Sequence, residues 1–146
     1  MNEPAPLDMP EPFEMTVERG KVREFARATQ SRNPAYLGDE QPVIPPTFLT
    51  TAQLWQPPGL GTLGRPAGLD LRRLLHGEQE YVFFGEPPRA GDKLTAQSRT
   101  EAEYEKEGKR GGTMRFVVTV TDFTDPAGRL VAQARSTSII TGKAPA

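Results

Sequence analysis

The sequence predicts a single α+β domain, with helices first and an antiparallel strand meander after them. Three observations carry this. In the first half, Val22, Phe25, Ala26 and Thr29 fall at i, i+3, i+4 and i+7, the spacing of an amphipathic helix. In the second half the period changes to two, most clearly in "TMRFVVTVTDF". The turns between these strands, "EGKRGG" and "TDPAGR", are short, which implies antiparallel pairing.

The elements can be justified one by one along the chain. Residues 1–12 contain four prolines and read as a flexible arm. "TVERGKVREFARATQ" gives a helix of about three turns, with Arg19, Lys21, Arg23, Glu24 and Arg27 on its polar face. Pro34 ends it, and "SRNPAYLGDEQ" reads as a loop. Pro45 and Pro46 suit the start of a second helix, on which Phe48, Leu49, Ala52 and Trp55 form an apolar face. "QPPGLGTLGRPAG" interrupts it with loop chemistry. "LDLRRLLHG" resumes helical spacing through Leu71, Leu74 and Leu75, with Gly77 as a stop.

"EQEYVFFG" reads as a short strand and "LTAQSRTEAEYEK" as a loosely alternating one. In the next strand Met114, Phe116, Val118 and Val120 share one face and Arg115, Val117, Thr119 and Thr121 the other. "LVAQARSTSII" is the last strand. The domain is expected over residues 13–142.

Composition narrows the function. The chain has 146 residues, enough for one core, and 25% of them are charged with a net charge of −1. Nothing in that charge favours nucleic acid or an anionic membrane as partner. There is no cysteine and one histidine, which excludes disulfides and thiol nucleophiles and argues against a metal site. The N-terminus has neither a basic nor an apolar segment of a signal peptide, and no run is long enough to span a membrane, so a cytoplasmic protein is expected.

Four features could carry chemistry, and each has a plainer structural reading. His76 is the one imidazole and a candidate acid/base, or else a hydrogen-bonded residue at a helix end. The N–H groups after Pro46 could polarise a carbonyl, or simply begin a buried helix. Phe48, Trp55, Leu74, Leu75, Phe83 and Phe84 could line an acyl pocket, or form core. "EAEYEKEGKRGG" could dock a partner, or be a solvated hairpin end.

Taken in order, "VREFARATQSRNPAY", "VIPPTF", "LLHGEQEYVFF", "PPRAGDKLTAQSRTEAEYEKEGKRGG" and "RFVVTVTDFTDPAGRLVAQARST" resemble the MaoC-like dehydratase N-terminal domain family. The resemblance spans roughly residues 12–141 and is closest to the non-catalytic type of subunit in mycobacterial (3R)-hydroxyacyl-ACP dehydratases. It implies a hot-dog fold, an antiparallel sheet wrapped around a long central helix, here "PPTFLTTAQLW" and the residues after it. It also implies pairing of two hot dogs, as a homodimer or as a heterodimer with a catalytic subunit, and no cofactor.

Hydratases of that family carry a loop resembling Asp-x-Asn-Pro-x-His, whose Asp and His transfer protons as water is added or removed across the 2,3-bond of an acyl thioester. Here Ser31 stands at the Asp position and Tyr36 at the His position, while Asn33 and Pro34 remain. A phenol with its ordinary pKa of about 10 is a poor base at neutral pH. The resemblance therefore implies a chain with no catalytic residue of its own. It would bind acyl-CoA or acyl-ACP through Asn33, Tyr36, Pro46, Thr47, Phe48, Trp55, His76 and Gly77. Two alternatives remain: a self-sufficient hydratase or thioesterase using His76 with Glu78 or Asp70, and a binding module that never turns substrate over.

Overall fold

The computed structural model describes residues 7–8, 11–56, 65–66, 70–109 and 112–143. Its core is a five-stranded antiparallel sheet in the order β2-β5-β6-β7-β4. These strands are β2 (Phe13–Thr16), β4 (Leu74–Phe83), β5 (Lys93–Glu107), β6 (Thr113–Thr124) and β7 (Leu130–Ile140). A separate two-residue pair joins β1 (Leu7–Asp8) to β3 (Arg65–Pro66). Leu7 and Asp8 therefore have regular structure, which the proline-rich composition around them does not predict. The rest of the proposed arm falls outside the described residues, except Glu11 and Pro12, as does most of "QPPGLGTLGRPAG".

Helix α1 (Arg19–Ala28) forms as its spacing predicts, burying Val22 and Ala26. Pro34 does not lie in a plain loop, however. It begins a one-turn helix, α2 (Pro34–Leu37), because proline at a first helical position sacrifices no hydrogen bond and Asn33 caps it.

Phe48–Trp55 forms a 3₁₀ helix that occupies the concave side of the sheet. Phe48, Leu49 and Ala52 pack there with Phe13, Met15, Leu94, Ala96, Phe123 and Ala132. This is the hot-dog arrangement, with a shorter central element than the resemblance implies. Bonds from the N–H of Phe48 to the Pro45 carbonyl (3.0 Å) and of Thr50 to Thr47 (3.2 Å) close three-residue turns. Gln56 is already extended (φ −69°, ψ 144°), as a residue before proline prefers.

"LDLRRLLHG" departs most from its local pattern. Leu71–Arg73 makes one 3₁₀ turn capped by Asp70, and Leu74 opens β4. Two bonds hold the change of direction: Thr141 N–H to the Arg73 carbonyl (2.8 Å) and Arg73 Nε to the Thr141 carbonyl (2.7 Å). The ladder to β7 then continues through Leu74↔Ile140 and Leu75↔Ile139. Nonlocal pairing thus overrides the helical spacing. Gly77 is no helix stop and His76 no helix end; both lie inside a strand.

Packing decides which face of β6 meets the 3₁₀ helix. Its more apolar face does not point at the 3₁₀ helix. Thr119, Thr121 and Phe123 share the concave side, while Val118 and Val120 face outward. Val120 is 1% exposed even so. In register it lies between Arg99 and Arg135, whose ion pairs with Asp122 and Glu101 keep their aliphatic stems beside it.

Candidate functional site

The Asn-Pro loop is built by local bonds. After α1, Gln30 turns left-handed (φ 59°) and the Ser31 N–H donates to the Ala26 carbonyl at 2.8 Å. The Ser31 hydroxyl accepts from the Asn33 N–H at 3.3 Å, and Asn33 Oδ1 accepts from the Ala35 N–H at 3.0 Å. Both polar side chains are thus engaged in shaping the turn. Tyr36 is half-buried and packs against the core. No carboxylate or imidazole occurs between Ser31 and Tyr36.

A cavity of about 270 Å³ opens between the 3₁₀ helix and the concave face of the sheet. Phe13, Leu49, Ala52 and Phe123 make one end apolar, and Thr50 and Gln53 line it from the helix. Its floor is set by strand register. Tyr81 pairs with Ala134, which pairs with Thr121; Gln79 with Ser136, then Thr119; His76 with Ser138, then Val117.

His76 belongs to that floor only because of a β-bulge. Pairing runs His76↔Ser138 and then Glu78↔Thr137, so Gly77 is the extra residue. Strict alternation from Tyr81 and Gln79 would put Gly77 on the floor and His76 on the other face. A Cβ at Gly77 would lie 2.8 Å from Ile139 Cδ1 and 3.2 Å from the Thr137 carbonyl oxygen, so the bulge needs a glycine.

The floor is polar. The Ser98 and Thr121 hydroxyls bond to each other at 2.7 Å, and the Gln79 amide donates to the Arg135 carbonyl at 3.2 Å. Thr119, Ser136 and Ser138 make no side-chain hydrogen bond to another described residue. Stripping water from one such hydroxyl without replacing its bond costs about 1–3 kcal/mol. Burying a methylene returns only about 0.8 kcal/mol. Burial raises the Tyr81 pKa above its ordinary value, opposed by a hydrogen bond with Thr50, so its phenol stays protonated at neutral pH.

Of the residues expected to bind substrate, His76 lines this cavity. Phe48 is wholly buried in the core, in edge-to-face contact with Phe25 at 5.6 Å. Trp55 packs on the core beside it, and Pro46 and Thr47 are exposed at the helix start. Asn33 is an exposed cap. The cavity lining includes none of these, nor Tyr36 or Gly77. At the helix start the Phe48 N–H is already donated to the Pro45 carbonyl and Pro46 has none. From the expected acyl set, Leu74 lines the cavity, Phe83 packs on the core, and Leu75 and Phe84 are exposed.

The partners considered for His76 lie elsewhere. Glu78 alternates to the opposite face of β4. Asp70 is held by Arg72 through the backbone N–H at 3.0 Å and Nη2 at 2.8 Å, which pulls its pKa below the ordinary carboxylate value. Among the described residues, no cluster of three or more His, Cys, Asp or Glu could hold a metal ion, and no helix is long and apolar enough to cross a membrane. Sequence reasoning missed Gln79, Thr119, Ser136 and Ser138. The polar alternation of β6 and β7 was the available signal.

Residues 8–134 match the family described as the FAS1-like dehydratase domain region. The chain belongs to this family. A UPF0336 protein of Parafrankia sp. (strain EAN1pec) is 34% identical over 142 residues, covering 92% of this chain and 88% of the relative. A UPF0336 protein of Clavibacter michiganensis is 33% identical over 140 residues, covering 86% and 85%. The C-terminally truncated HadBC (3R-hydroxyacyl-ACP dehydratase) complex of Mycobacterium tuberculosis contains a chain that is 28% identical, with a TM-score of 0.65 and coverage of 90% and 96%. An (R)-hydratase from A. caviae shares the hot-dog fold at 17% identity and a TM-score of 0.60, covering 99% and 98%.

Proposed function

We propose that the chain is the substrate-holding subunit of a (3R)-hydroxyacyl-thioester dehydratase, equivalently an (R)-specific enoyl-thioester hydratase. The observation that carries this is the Asn-Pro loop. Its backbone turn is maintained by Ser31 and Asn33, yet it carries neither a carboxylate nor an imidazole. Dehydration needs a base for the α-proton and an acid for the departing hydroxyl. A partner hot dog with an Asp and a His on the equivalent loop supplies both. HadBC, at 28% identity, is itself a complex of two proteins. Edge strand β4 suits such pairing: its outer side has no strand partner among the described residues, and Leu75 there is 50% exposed.

The test is hydration of short and long trans-2-enoyl-CoA by the purified chain, followed by loss of the enoyl-thioester absorbance. The wild-type chain should bind these thioesters without turnover. The Ser31→Asp/Tyr36→His variant should gain measurable hydration. Clear turnover by the wild-type chain would sink the proposal and make His76 the group to mutate next.

A further inference from the structure

We infer that the cavity between the 3₁₀ helix and the sheet takes an acyl chain that itself carries hydroxyl groups, rather than a plain alkyl chain. This rests on the acyl-thioester reading above and narrows it to a substrate class. The floor is the reason. Row Gln79–Ser136–Thr119 crosses three adjacent strands, and His76–Ser138 lies beside it on two of them. With strands about 4.8 Å apart and rows about 7 Å apart, the polar atoms cover a band roughly 10 Å by 7 Å.

Nothing among the described residues saturates this band. Thr119 is only 6% exposed, but its hydroxyl, like those of Ser136 and Ser138, has no side-chain partner among them. Gln79 spends one amide N–H on the Arg135 carbonyl, and its second N–H and its oxygen remain to donate and accept. Small β7 side chains, Ser136 and Ser138, leave room above the sheet while presenting donors and acceptors. An alkyl chain laid here would strip their water and return no hydrogen bond. A chain bearing hydroxyls replaces that water group for group, since each hydroxyl both donates and accepts. The apolar end at Leu49 and Phe123 suits the methylenes between them.

Calorimetric titration of the full chain with octanoyl-CoA and with its 5-, 6- and 7-hydroxy analogues, each measured separately, tests this. These saturated thioesters lack both the 2,3-double bond and the 3-hydroxyl, so none is turned over. At least one hydroxy analogue should bind about tenfold tighter than octanoyl-CoA. That advantage should disappear in Thr119→Val/Ser136→Ala, and shrink in Ser138→Ala if the double variant does not fold. Equal or weaker binding of every hydroxy analogue overturns the inference and leaves the acyl-thioester reading standing. So does an advantage that survives these substitutions. Binding of none beyond CoA alone overturns both.

Discussion

Gly77→Ala probes the bulge that builds the cavity floor. The new methyl would sit 2.8 Å from Ile139 Cδ1, 3.1 Å from its Cγ1 and 3.2 Å from the Thr137 carbonyl oxygen. Carbon pairs are most comfortable at about 3.5–4.0 Å. The end of Ile139 can swing aside, but the Thr137 carbonyl belongs to the backbone of β7, flanked by strands on both sides. Overpacking of this kind costs about 1–3 kcal/mol, and the movable Ile139 end places the substitution at about 1–2 kcal/mol. With an m-value of about 2 kcal/mol/M, the urea midpoint should fall by roughly 0.5–1 M. Ile139→Val removes Cδ1, the nearest atom. In that background Gly77→Ala should cost about 1 kcal/mol less, a coupling that a double-mutant cycle reads directly. Amide exchange should quicken at His76 and Glu78 before Val82 and Phe83. Strictly additive costs would refute the reasoning, because the penalty would then owe nothing to the approach of Ile139.

Two further outcomes rest on burial. Phe48→Ala empties a fully buried site and should cost about 3–5 kcal/mol by chemical denaturation. Leu54→Ala, on the same helix but 64% exposed, should stay within about 0.5 kcal/mol, and equal effects would refute the packing described. For Tyr81, burial raises the folded pKa above the unfolded value of about 10. Its contribution to stability is therefore fully present below that value and is lost as pH rises through the folded pKa. A spectrophotometric titration should show a phenol step above the ordinary value that Tyr81→Phe abolishes. A Tyr81 step at or below the ordinary phenol value would refute the assignment.

The sequence by itself determined much of this protein. Helical spacing at Val22, Phe25 and Ala26 and two-residue alternation in β6 and β7 are local properties, and the short turns that force antiparallel pairing are local too. The absence of a carboxylate and an imidazole from the Asn-Pro loop is likewise a fact of composition. What the sequence could not supply is anything that depends on a distant partner. Leu71, Leu74 and Leu75 have helical spacing, yet β7 draws Leu74 and Leu75 into a ladder, because backbone bonds across a sheet outweigh a weak local preference. The side of β6 that meets the 3₁₀ helix was also undecided, since covered Val120 and floor-lining Thr119 alternate in one strand and only packing chooses between faces. His76 shows the limit most sharply. Counted along β4 it falls opposite Gln79 and Tyr81. One extra glycine, fitted where Ile139 leaves no room for a Cβ, turns it onto the cavity floor beside Ser138.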